Sequence, residues 1–188
     1  ILLAGFMVFF TSCSEKELEI TNPNAPTTQV FWETPDDAQK GINAVYNQFY
    51  KPGSWSRWIF FRYDLTSDEG WSQSPWPELK EWTRFQYFNY NFWEGNGWIW
   101  EDHYQAVFRA NQVIANVPDI EFDDESHKQD IIGQAKFLRA FYYFNLAVMF
   151  GDIPMVLEPS DPQDRPEQVD VSQVWEQVKQ DLNDAAAV

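Results

Sequence analysis

The sequence predicts a mainly all-α protein of packed helical hairpins interrupted by a long irregular aromatic loop region, and three observations carry that prediction. Four segments repeat apolar residues at spacings of three and four, the period of one helical face. Residues 51–98 lack any long periodic run yet hold seven of the ten tryptophans. Residues 133–159, GQAKFLRAFYYFNLAVMFGDIPMVLEP, join a helical face, a helix stop and a rigid exit loop without a break.

The first helix starts at Thr34. Thr-Pro-Asp-Asp supplies an N-cap, a proline at the first helical position and acids for the positive end of the helix dipole. Its predicted buried face is Ala38, Ile42, Val45, Tyr46 and Phe49. The second helix, at about residues 99–117, faces the core with Trp100, Tyr104, Val107, Asn111 and Ile114. The third, at about residues 126–150, carries Ala135, Leu138, Tyr142, Asn145, Leu146 and Met149, with Phe137, Phe141, Phe144 and Val148 on the neighbouring stripe. A helix apolar over so much of its circumference is expected to be buried between others, with Lys136 and Arg139 reaching to solvent or to a partner. Gly151 supplies the residue of positive φ that ends it, and Pro154 forbids continuation. The fourth helix begins near Val171, with Ser172 as a candidate cap and Val174, Trp175, Val178, Leu182 and Ala185 as its buried side. Bulky aromatics set against small residues suit interlocked helix pairs, an α-solenoid of the tetratricopeptide kind, although no strict 34-residue period is present.

The run from Ala135 to Val156, A-K-F-L-R-A-x-x-Y-F-x-L followed by G-D-x-P-x-V, closely resembles the signature of the SusD/RagB family, surface lipoproteins of Bacteroidetes that bind nutrients beside an outer-membrane transporter. FWETPDDAQKGINAVYNQFY, LTSDE and WEDHYQAVFRAN extend the resemblance over nearly the whole chain. It implies a tetratricopeptide-like fold, a non-catalytic role in capturing glycans, and a partner transporter of the TonB-dependent SusC type. The RagB branch implies an alternative ligand, peptide. Since family members run to several hundred residues and the last segment, QVWEQVKQDLNDAAAV, carries no stop signal, residues 31–188 are expected to be the N-terminal part of such a domain, truncated at its C-terminal end.

The N-terminal run ILLAGFMVFF is too short to span a bilayer core, which takes about 20 residues, and fits the apolar part of a secretory signal. Residues 1–12 are therefore read as a partial lipoprotein signal peptide. Cys13 is the only cysteine, which excludes an intramolecular disulfide, and its position resembles a lipobox whose thiol becomes acylated. Residues 13–30, polar and rich in Pro, Asn and Thr, read as a lipidated tether. Together these expectations place the protein at the outer membrane, exposed at the cell surface through a lipid anchor.

A formal net charge of −16, from 29 acidic against 13 basic residues, argues against nucleic acid as a partner. The tryptophan-rich loop must either pack on the helices or offer flat apolar faces to a ligand. Sugars suit such faces, because the C–H face of a pyranose stacks on an indole while nearby polar groups take its hydroxyls. Trp98 and Trp100 are expected in the core. Trp71 and Trp76, set among Gly, Ser, Gln and Pro, are the candidate platform, and Asp68 and Glu69 precede them. The resemblance also implies that this region contributes to the ligand site.

Catalytic chemistry finds little support. Asp68 and Glu69 are adjacent, so their side chains diverge, whereas glycosidase carboxylates flank one bond at about 5 Å or about 6.5–9.5 Å. His103, expected to be a half-exposed helical residue, and His127 are far apart in sequence, and no cluster has zinc-ligand spacing. Neither a glycine-rich phosphate loop nor a nucleophile elbow is present. No cofactor or metal is expected. A pure protein-interaction scaffold would keep its aromatics in the helices and its loops polar, the reverse of residues 51–98.

Overall fold

The computed structural model describes residues 31–85, 93–161 and 163–188. Residues Trp32–Val188 form one compact unit. Its order is α1 (Pro35–Tyr46), a 3-10 turn (Asn47–Tyr50), α2 (Trp58–Leu65), α3 (Pro77–Thr83), a π turn (Trp93–Gly97), α4 (Trp98–Asn116), a second 3-10 turn (Val117–Asp119), α5 (Glu125–Phe150), β1 (Ile153–Pro154), β2 (Gln168–Val169) and α6 (Val171–Ala186). The mainly all-α expectation holds, since among the described residues the strands form only a two-residue antiparallel pair with Ile153 opposite Val169. That pair closes the loop between α5 and α6, as Asp152 accepts a hydrogen bond from the Val171 amide at 2.9 Å.

The caps follow from local chemistry. Thr34 and Asp37 form a reciprocal capping box ahead of α1, with Pro35 at its first position. Asp124 accepts from the amides of Ser126 and His127 to start α5. At α6 the cap is Asp170, which accepts from the Ser172 amide, and Ser172 itself lies inside the first turn. Gly151 ends α5 at φ 73°, ψ −120°, a region costly for residues with a Cβ.

The central element is α5, which packs against α4, α6 and α1. Its buried face includes Ala135, Leu138, Tyr142, Asn145 and Leu146, as the periodicity predicts. They meet Ala38, Ile42 and Val45 of α1, Ala106, Val107, Ala110 and Val113 of α4, and Val174 and Val178 of α6 in one core. A smaller core gathers Trp58, Ile59, Leu65, Leu79, Trp82 and Ile99.

Several expectations are corrected. The region 51–98 contains two short helices, α2 and α3, instead of only loop. α2 has no side-chain cap and forms because Trp58, Ile59 and Leu65 bury against α3 and α4, packing that no local period reveals. α5 is not enclosed on all sides, since Phe137, Phe144 and Val148 stay nearly half exposed. Arg139 does not reach solvent. Its guanidinium lies in the core, paired in bidentate fashion with buried Asp181 of α6 at 2.7 Å to each oxygen. Asp181 therefore occupies the inward face of α6, and Leu182 is exposed. Lys136 likewise turns to Asp184, at 2.6 Å. His103, expected to be half exposed, is fully buried. Tyr46 is partly exposed and donates a hydrogen bond to Gln134.

Candidate functional site

The loop between α2 and α3 is shaped by short hydroxyl-to-backbone bonds. Thr66 and Ser67 donate to the Arg62 and Asp64 carbonyls at 2.6 and 2.7 Å, which caps the end of α2. Gly70 then passes so close to the Asp64 carbonyl that a Cβ would lie 1.7 Å from its oxygen, so glycine is required there. Ser72 and Ser74 each accept from the amide two residues on, at 3.1 Å, and deliver the chain to Trp76 and α3.

This path brings the two tryptophans singled out from sequence into one cleft of about 390 Å³, within the range of small-molecule sites. Trp76, 40% exposed, stacks on Trp58 with ring centroids 5.7 Å apart and planes at 18°. Trp58 is fully buried and is itself braced edge-on by Phe61 and Trp82. Trp71, 60% exposed, also lines the cleft. Arg57 covers Trp58 at 4.6 Å and Trp76 at 5.8 Å, and Arg84 lies 6.0 Å from the Trp71 ring, all cation–π range. Ser72, Gln73 and Ser74 supply neutral polar groups to the wall.

The cleft thus combines apolar residues, two exposed indoles and neutral polar groups in one lining. Such a surface accepts a flat or ring-shaped ligand by stacking, and hydroxyl partners are close by. Asp68 and Glu69 are exposed on the preceding turn and are not part of its lining. Sequence reasoning missed Arg57 and Trp58. Trp58 sits in an apolar run that reads equally well as core, and no sequence signal marks Arg57. Trp98 and Trp100 pack on the two cores as expected, each with part of its surface exposed. Cys13 lies outside the described residues, as does the tether.

A second cavity, about 230 Å³, lies between α4 and the loop after β1, with Trp100, Tyr104, Phe108 and Pro166 among its walls. Tyr104 and Asn111 in its lining are already engaged. Tyr104 donates to the Pro154 carbonyl at 2.6 Å, and Tyr143 and Asn111 bind the Val156 backbone. Asn111 also accepts from Arg139, at 2.9 Å. Burial pushes the Tyr143 hydroxyl up to about 12. These bonds hold the exit loop in place. Among the described residues, no group of three His, Cys, Asp or Glu side chains could hold a metal ion, and no helix is long and apolar enough to cross a membrane.

Fold and cleft define a helical-hairpin protein whose loops, more than its helices, carry exposed tryptophan. The chain belongs to the SusD-like family: the family model described as "Starch-binding associating with outer membrane" matches residues 18–188. A SusD-like protein of Formosa agariphila is 29% identical over 146 residues, covering 77% of this chain and 27% of that protein. A laminarin-binding SusD-like protein of known structure is 31% identical with a TM-score of 0.69, covering 83% of this chain and 34% of that one. A SusD homologue from Bacteroides thetaiotaomicron, 17% identical, shares the fold with a TM-score of 0.72 over 86% of this chain and 31% of its own. The chain therefore spans about a third of the length of the relatives it matches.

Proposed function

We propose that the protein is a non-catalytic, lipid-anchored glycan-capturing protein of the outer-membrane surface, which passes its ligand to a TonB-dependent transporter of the SusC type. The observation that carries this reading is the pair Trp71 and Trp76, both exposed in the lining of one cleft, with Trp76 stacked on buried Trp58. An indole held rigid by stacking loses little side-chain entropy when a sugar ring docks on it. Asp68 and Glu69, on the turn beside the cleft, are candidates to accept hydroxyls from sugar units that extend past it. The laminarin-binding relative supports carbohydrate as the ligand class. Membrane attachment through Cys13 and hand-over to a transporter rest on the resemblance of the whole chain to the family.

Replacing Trp71 or Trp76 with alanine should weaken oligosaccharide binding by about 1–3 kcal/mol, the size of a base-on-aromatic stacking contact taken as an analogue. The Trp71 variant should keep its melting temperature, because that ring is largely exposed. The Trp76 variant should lose a little stability, since it uncovers Trp58. Calorimetric titration against a panel of oligosaccharides, with thermal melts alongside, checks both. Unchanged affinity in both variants would refute the cleft as the site, and binding of peptides but no glycan would favour the peptide-capturing alternative.

A further inference from the structure

Among the described residues, Arg57 is the only ionisable side chain that lines the tryptophan cleft. In a chain of net charge −16 a cleft wall that carries a single cation and no carboxylate is unusual in sign. Arg57 forms no ion pair among the described residues. Its guanidinium carbon lies 4.6 Å from the Trp58 ring and 5.8 Å from the Trp76 ring, and a cation held against aromatic rings keeps its N–H donors for an anion. Arg84, exposed and also outside any ion pair among the described residues, stands by Trp71. Each candidate stacking ring is therefore accompanied by an available cation.

From this geometry we infer that the cleft selects an acidic oligosaccharide, one bearing a carboxylate or sulfate ester on the sugar unit that stacks on Trp76. The inference rests on the glycan-capturing reading given above. A guanidinium meets either anion with two parallel N–H donors, bonds about twice as strong as neutral ones. It meets the hydroxyls of a neutral sugar with weaker bonds and without the charge. Stacking on the ring holds the guanidinium in position, so less side-chain freedom is lost on binding. The acidic surface beyond the cleft repels polyanions at long range, but that repulsion is screened within about 8 Å at physiological salt, whereas contact with Arg57 is not. The preference is thus local and should depend on Arg57 itself.

The test is calorimetric titration with three probes of similar length: a neutral laminari-oligosaccharide, an oligogalacturonate and a sulfated carrageenan oligosaccharide. The wild type, Arg57→Gln, Arg57→Lys and Trp71→Ala are compared at 150 mM salt. The wild type should bind at least one acidic probe about tenfold or more tighter than the neutral one, and which acidic probe wins separates carboxylate from sulfate. Arg57→Gln should erase that preference by weakening the acidic probe at least about fivefold more than the neutral one, and Arg57→Lys should restore part of it. Equal or tighter binding of the neutral probe by the wild type, or a preference that survives Arg57→Gln, overturns the inference. If the neutral probe binds and Trp71→Ala weakens it, the glycan-capturing reading stands although the acidic preference falls. If none of the probes binds, both fall.

Discussion

His103 is the residue whose environment departs furthest from its sequence neighbourhood. Glu101 and Asp102 directly precede it, yet its ring is fully buried, edge-on to Tyr142 at 5.3 Å. Nδ1 lies 2.7 Å from the Ile99 carbonyl, so the proton sits on that nitrogen, and Nε2 has no partner among the described residues. Burial lowers the pKa to about 4, from an ordinary value of 6.5. Between these values the unfolded chain binds a proton and the folded chain does not, so stability falls as the pH drops through that window. Full development of the effect would cost about 3 kcal/mol. Urea titrations at pH 5 and pH 7.5 should show a larger loss for the wild type than for His103→Gln, and equal losses would contradict the burial. Arg139 and Asp181 follow a related logic. Arg139→Ala strands a buried carboxylate and should cost about 3–5 kcal/mol, whereas joint replacement by Met and Leu should cost much less. Lys136→Ala, at a half-exposed pair, should cost far less than Arg139→Ala in the same measurement.

At the scale of elements, what was legible in sequence was whatever local chemistry dictates. The Thr34 capping box, Pro35, the positive-φ stop at Gly151 and the buried stripe of α5 all act within a few residues of themselves. The inward position of Asp181 was not legible, because a carboxylate on the core side of α6 makes sense only once Arg139 is known to meet it. The same holds for α2, which is too short and too uniformly apolar to show a period, and whose helix is stabilised by contacts with distant residues. For the site, Trp71 and Trp76 could be picked out as tryptophans without apolar neighbours, while Arg57 and Trp58 emerged only when the loop folded back over α2. The two stripes of α5 can be told apart by mutation. Leu146→Ala, in the core, should cost about 2–5 kcal/mol, as large-to-small changes at enclosed sites do. Phe144→Ala should cost less, because its ring is 44% exposed and touches chiefly Trp175. Equal losses in chemical denaturation would show that the Phe144 stripe is covered in solution.

At the scale of the whole molecule, charge and anchoring have to be reconciled. A net charge of −16 gives the protein no electrostatic affinity for anionic lipid, and among the described residues no helix could hold it in a bilayer. The proposed reading places attachment at Cys13, the one cysteine in this sequence. One acyl chain gives only marginal, reversible membrane binding, so a stable anchor requires at least two on that residue or on its amine. On the proposed reading, the polar segment of residues 14–30, rich in Pro, Asn and Thr, is the tether between that anchor and the helical unit. Cys13→Ala should therefore move the protein from the membrane fraction to the soluble one and abolish incorporation of labelled fatty acid, with its thermal melt and glycan affinity unchanged. Continued labelling of the alanine variant would refute the anchor. A variant that loses glycan affinity as well as the anchor would show instead that the N-terminal segment takes part in the fold, and the separation of tether from binding unit would have to be abandoned.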